Sequence, residues 1–132
     1  MKHIDSVQRI YAAFSRGDTQ GVLDELDPSI EWSNAGPPHL DYFGVRHGHG
    51  QVSEVFEILA RDFEISRFLP VDFFVSGDRV LVLLELEAMI RPTRKAFSEV
   101  LVHVWTFAPN GKVAHMNDVH DSWTVAAALT AN

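Results

Sequence analysis

RVLVLLELEAMI at 79–90, the turn Arg91-Pro92-Thr93, and AFSEVLVHVWTF at 96–107 decide the fold. Both runs are dense in Val, Leu and Phe, the composition of strands, and a Pro-containing break separates them. Phe63–Phe68, Val71–Val75 and Lys112–Val125 read the same way, set apart by Ser76-Gly77-Asp78 and Pro109-Asn110-Gly111. Three long strands joined by short turns predict an antiparallel meander.

Upstream, the period changes. Ile4, Val7, Ile10, Tyr11 and Phe14 recur at helical spacing, and Gly17 stops that helix. Asp18 can cap a second helix with Val22, Leu23 and Leu26 on its apolar face, ended by Asp27-Pro28. Ser29–Ser33 reads as a short strand carrying Ile30 and Trp32. Asn34–Gly50, with four Gly and two Pro, reads as loop. A third helix is expected from Gln51 to about Arg61, burying Val52, Val55, Phe56 and Leu59. The architecture is α+β in one domain, 1–132: a cone-shaped, curved antiparallel sheet wrapped on three N-terminal helices, with a cavity at its open end.

Composition narrows the function classes. The chain has 132 residues, 46% hydrophobic and 22% charged, enough for one core and too apolar for disorder. Eleven Lys and Arg against 18 Asp and Glu leave a net charge of -7, which disfavours nucleic acid as a partner. With no cysteine there is no disulfide framework, thiol nucleophile or thiolate metal site. No apolar segment follows Met1-Lys2-His3-Ile4-Asp5, and the longest apolar run is Val80–Leu84. Neither a signal peptide nor a membrane partner is expected, and the predicted location is cytoplasmic.

The order helix, Gly17-Asp18, helix, Asp27-Pro28-x-Ile30-x-Trp32, Gly/Pro loop, Tyr42-Phe43-Gly44, Gly48-His49 and a helix with Phe56 resembles the SnoaL-like group. So do VLVHVWTF at 100–107, Asn110-Gly111-Lys112-Val113 and His120-Asp121. That group belongs to the nuclear-transport-factor-2-like superfamily, of cystatin-like fold, with ketosteroid isomerase and limonene-epoxide hydrolase. The resemblance covers nearly the whole chain and implies a fold that hosts many chemistries. The isomerase's Tyr, Asp base and protonated Asp would fall on Ile10, Trp32 and His103, so that triad is absent. Tyr11 is one position, about 100°, from the first of these and is expected to face elsewhere. The hydrolase's last-strand Asp falls on Asp118, and its Arg-x-Asp pair on Glu85-x-Glu87, where the Arg is lost. The polyketide cyclases of the group imply an acid/base on the last strand, matched by Asp118 or Asp121.

Strand alternation is an independent argument. Met116, Asp118 and His120 share one face of the last strand. Glu99, Leu101, His103, Trp105 and Phe107 share a face of its neighbour, and Leu81, Leu83, Glu85, Glu87 and Met89 a face of the strand before. Faces mixing acids and imidazoles with Trp and Met suit a cavity wall, with a strand end exposed to solvent as the alternative. Asp118 with His103 or His120 would make an acid/base pair, its carboxyl raised by a setting of Trp105, Met116 and Trp32. Asp121 serves either catalysis or as a cap for the segment Val125–Leu129. Tyr11, Phe14, Phe56 and Tyr42 complete the expected ligand contacts, with Glu85 and Glu87. No metal-ligand spacing, phosphate loop or cofactor motif is present, so no metal and no cofactor are expected.

Two functions stand open. One is a small enzyme of SnoaL type performing cofactor-free acid/base chemistry (isomerase, cyclase or hydrolase) on a lipophilic carbonyl or polyketide-like compound. The other is a non-catalytic module that binds a hydrophobic ligand or serves in a dimer. Either way a homodimer is expected through the convex sheet face, where Val100, Val102 and Val104, and Val80, Val82 and Leu84, are expected to alternate outward.

Overall fold

Val7, Ile10, Tyr11 and Phe14 give the first helix, α1 (Lys2–Ser15), one apolar stripe turned to the interior. Gly17 ends it in the left-handed region (φ 70°). Its N–H bonds Phe14 O and the Asp18 N–H bonds Ala13 O, the paired closure of a Schellman motif. Asp18 then caps α2 (Thr19–Leu23) by accepting from Gly21 N at 2.9 Å. The computed structural model describes residues 2–131, so Met1 and Asn132, the ends of the expected domain, lie outside the described residues. The remaining elements are β1 (Leu26–Asn34), β2 (Gly44–His47), α3 (Gly48–Asp62), β3 (Phe63–Ser76), β4 (Arg79–Ile90), β5 (Lys95–Phe107), β6 (Val113–Val119) and α4 (Ser122–Leu129).

The six strands form one curved sheet in the order β2-β1-β6-β5-β4-β3. The expected meander is present from β3 to β6. The sheet as a whole is mixed rather than antiparallel, because β1 lies parallel to β6. Turn chemistry encodes only the local pairings; β1 and β6 meet across some 80 residues of chain with no turn between them. Their register sets Trp32 opposite Met116 and Asn34 opposite Asp118.

Several boundaries differ from expectation. Asp27-Pro28 lies inside β1, not at the end of a helix. The Gly/Pro segment contains β2, and its His47-Gly48 starts α3 early. Phe63–Val75 is one strand, with register shifts between Ile65 and Arg67 and between Pro70 and Asp72 that absorb the Pro. The last run divides into β6 and α4, with Asp121 capping the helix through Thr124 N at 3.1 Å. Among the described residues no helix is long and apolar enough to cross a membrane.

The core lies between the inner sheet face and the helices. Trp105, Leu84, Met116, Val80 and Val82 are among its fully buried side chains. Burying one such group contributes about 1.5–3 kcal/mol. Here β4 corrects the sequence reading. Residues opposite one another on neighbouring strands share a face, and Val80 opposes Trp105, Val82 opposes His103 and Leu84 opposes Leu101. Val80, Val82 and Leu84 therefore point into the core and not outward. Glu85 and Glu87 point away from the cavity, where both meet Arg67, at 2.8 and 3.6 Å.

Candidate functional site

The inner faces of β1, β5 and β6, with α1 and α3, enclose a cavity of about 70 Å³. Its walls include Tyr11, Phe14, Trp32, Tyr42, Phe56, Trp105 and Met116, all expected from the sequence, together with His103 and Asp118. Aromatic packing holds the walls. Trp32 meets Trp105 and Phe56 edge-on, at centroid separations of 5.7 Å each.

A directed chain of hydrogen bonds runs into this cavity. The indole Nε1–H of Trp105 has no other role than donor, and it reaches Tyr11 Oη at 3.0 Å. Assigning the Tyr11 hydroxyl proton to His103 Nδ1, 2.9 Å away, completes the chain. His103 Nδ1 then accepts, so its ring proton sits on Nε2. Burial, helped by the nearby His120, pushes the His103 pKa down to about 3, so the ring is neutral. Burial also pushes the Tyr11 phenol up, which keeps it a donor.

His103 Nε2 faces Asp118 Oδ2 at 3.9 Å, too far for a hydrogen bond. Burial and then the charge of Glu99 raise the Asp118 carboxyl to about 7. Its Oδ1 is buried without a protein partner, as is Oδ1 of Asn34 beside it on β1. A neutral N–H donor, a carboxyl poised near neutrality and an amide thus converge on one apolar space. Such a set can hold a carbonyl oxygen and move a proton at the adjacent carbon.

Both Ile10 and Tyr11 line the cavity, because its wall spans more than one 100° step of α1, so Tyr11 is the ligand contact expected of it even though it stands one position from the isomerase's Tyr. Asn34 escaped the sequence reading. It follows Ile30 and Trp32 in alternation, and one more residue of strand would have placed it.

The other four candidates lie elsewhere. Glu85 and Glu87 are on the outer face, and Asp121 is the α4 cap. His120 shares the inner face but does not line the cavity. Its Nε2 donates to Ala35 O at 3.0 Å and its ring stacks on Phe43. Nδ1 is 3.9 Å from Glu99 Oε1, and the two side chains are 3% and 4% exposed. Glu99 Oε1 accepts from Asp121 N at 2.9 Å, and burial raises this carboxyl to about 7. Among the described residues, no group of three or more His, Cys, Asp or Glu could hold a metal ion.

The family model of the SnoaL-like domain matches residues 7–116. No curated protein matches the chain. Solved structures do. An NTF2-like protein from Burkholderia pseudomallei is 28% identical over 99% of both chains, with TM-score 0.88. One from Burkholderia xenovorans is 27% identical over 98% of this chain and 96% of that one, with TM-score 0.87. TerC, co-crystallised with polyporic acid, is 25% identical over 98% of both chains, with TM-score 0.81. Fold and family model agree: the chain belongs to the SnoaL-like domain family, within the nuclear-transport-factor-2-like superfamily.

Proposed function

We propose that this chain binds a small lipophilic carbonyl compound in the cavity and catalyses proton transfer at the carbon next to the carbonyl, without a cofactor. The observation that carries the reading is the Asp118 carboxyl, buried, with one oxygen unpartnered, 3.9 Å from Nε2 of a His103 whose Nδ1 is hydrogen-bonded to Tyr11, itself bonded by Trp105. As carboxylate, Asp118 takes the α-proton. His103 Nε2–H donates to the carbonyl oxygen as enolate charge develops, and the neutral ring serves as donor without itself ionising. When the proton on Asp118 is swapped for one from solvent before return to the same carbon, the result is hydrogen exchange; return to a conjugated carbon gives isomerisation. Trp32, Trp105 and Met116 hold the apolar body. TerC's co-crystallisation with polyporic acid supports a small organic ligand for a relative of this fold.

The test is deuterium exchange of the methyl protons of an aryl methyl ketone in D₂O. The protein is expected to accelerate exchange, and Asp118→Asn to lower it by about 10²–10⁴-fold. Tryptophan-fluorescence binding of the ketone without exchange would favour the non-catalytic ligand-binding module. The loss of the isomerase triad supports that second reading.

A homodimer through the outer sheet face belongs to the same proposal. Val100 (62% exposed) and Val119 (52% exposed) lie there with the half-buried Leu81, Leu83, Val102 and Val104. Such a row on one face favours a second copy. Val100→Glu is expected to shift sedimentation from dimer to monomer, and a monomeric parent at micromolar concentration overturns it.

A further inference from the structure

The inner cavity is small for a ligand: about 70 Å³, against roughly 300–1,000 Å³ for sites that enclose a drug-sized molecule. A second hollow of about 450 Å³ lies against it. Phe14, Phe56, Leu59, Phe63 and Ile65 belong to the walls of both, forming an apolar collar between a tight inner chamber and a wider outer groove. A ligand longer than the inner chamber, with its reacting head at Asp118 and His103, would extend past the collar into the groove.

The groove carries two charged side chains, Asp18 and Arg91. Asp18 is already satisfied: Oδ1 accepts from Gly21 N and Oδ2 from Arg16, at 3.2 Å. Arg91 is different. Its backbone N–H bonds Asp62 O at 2.7 Å and its Nη1 donates to Ala60 O at 2.6 Å, which aims the guanidinium from the β4–β5 turn. Both acceptors are neutral carbonyls. The nearby Asp62 carboxylate is engaged by Arg61 instead, at 2.6 Å. Among the described residues no carboxylate lies within ion-pair distance of Arg91, and Asp62, held by Arg61, feels only its longer-range charge, in a chain of net charge -7. A held guanidinium with donors to spare suits a planar, bidentate carboxylate.

We propose that the outer groove is a subsite for a carboxylate on the ligand's tail, with Arg91 as its specificity-determining residue, so that the ligand is an amphipathic keto acid. This rests on the cavity reading above. The probes are 4-(4-acetylphenyl)butanoate and its methyl ester, whose acetyl head also reports α-proton exchange. Binding is read by tryptophan fluorescence and turnover by exchange in D₂O. The acid is expected to bind about tenfold more tightly than the ester at low salt, and added salt to narrow that gap. Arg91→Gln is expected to erase the preference by raising KM for the acid alone, with kcat unchanged, and Arg91→Lys to restore part of it. Equal binding of acid and ester, or a preference that survives Arg91→Gln, overturns the subsite and leaves the cavity reading standing. Failure of both probes to bind overturns the two together.

Discussion

Two acid–imidazole pairs lie along one sheet face at the same separation, 3.9 Å: His103 with Asp118, and His120 with Glu99. Both are buried, and in both the carboxyl is raised to about 7 and the imidazole lowered. They differ in what their remaining polar atoms meet. Asp118 keeps an unpartnered oxygen on the cavity. Glu99 accepts from the backbone of Asp121, and His120 donates to the backbone of Ala35. The first pair has a valence open to a ligand. The second spends its valences tying β5, the start of α4 and the segment after β1 together. Chemistry is decided here by free lone pairs and donors, not by residue type or burial.

The largest expected effect tests that distinction directly. Asp118→Asn should lower ketone exchange by about 10²–10⁴-fold, the range of a lost general base, while Glu99→Gln stays within about tenfold of the parent. Equal losses in both would erase the contrast. Stability should reverse the order. His120→Ala removes the tether to Ala35 and opens a void beside Phe43, and should cost about 1–3 kcal/mol in urea unfolding. Asp118→Asn should cost nothing at neutral pH, and it sharpens the contrast through its pH dependence. The folded carboxyl binds its proton up to about 7, while the unfolded one has released it near 3.8. Between those values the folded parent holds more protons than the unfolded chain, so this group's contribution falls as pH rises. The stability of Asp118→Asn relative to the parent should therefore climb from pH 4 to pH 7 and level off above. A difference that stays flat would place the Asp118 carboxyl in water. Tyr11→Phe strands the Trp105 N–H and His103 Nδ1 and should cost about 1–3 kcal/mol in stability. Its sharper readout is nitrogen NMR of His103, where loss of the donor to Nδ1 should mix two tautomers that the parent holds as one.

The sheet face bearing these pairs was legible on β5 and β6, because polar residues interrupt the apolar ones at alternate positions. Leu101, His103 and Trp105 on one strand, and Met116 and Asp118 on the other, turn inward as their spacing requires. On β4 the same rule misled. Val80–Leu84 is apolar at every position, so the run carries no phase and does not tell which face Glu85 and Glu87 take. Pairing with β5 restores the phase. Asp121 illustrates a different limit: a carboxylate two residues beyond a strand can cap a helix or face a cavity, and the choice waits on where the strand stops. Arg91 reads in sequence only as part of a turn. Its place in the groove beside α3 follows from the bond to Ala60 O, made across 31 residues.

Local chemistry, readable from the chain alone, is enough for the existence of α1, α2 and α3, for the meander and for the inward faces of β5 and β6. Periodicity and turn residues act over a few positions, and their energies are felt wherever the segment finds itself. The parallel β1–β6 contact, the parity of β4, the orphaned oxygens of Asn34 and Asp118 and the directed chain from Trp105 through Tyr11 to His103 were decided only in the folded state. Each depends on atoms some 80 or more residues apart in the chain, or on which face a neighbouring strand presents, and no local pattern carries that information.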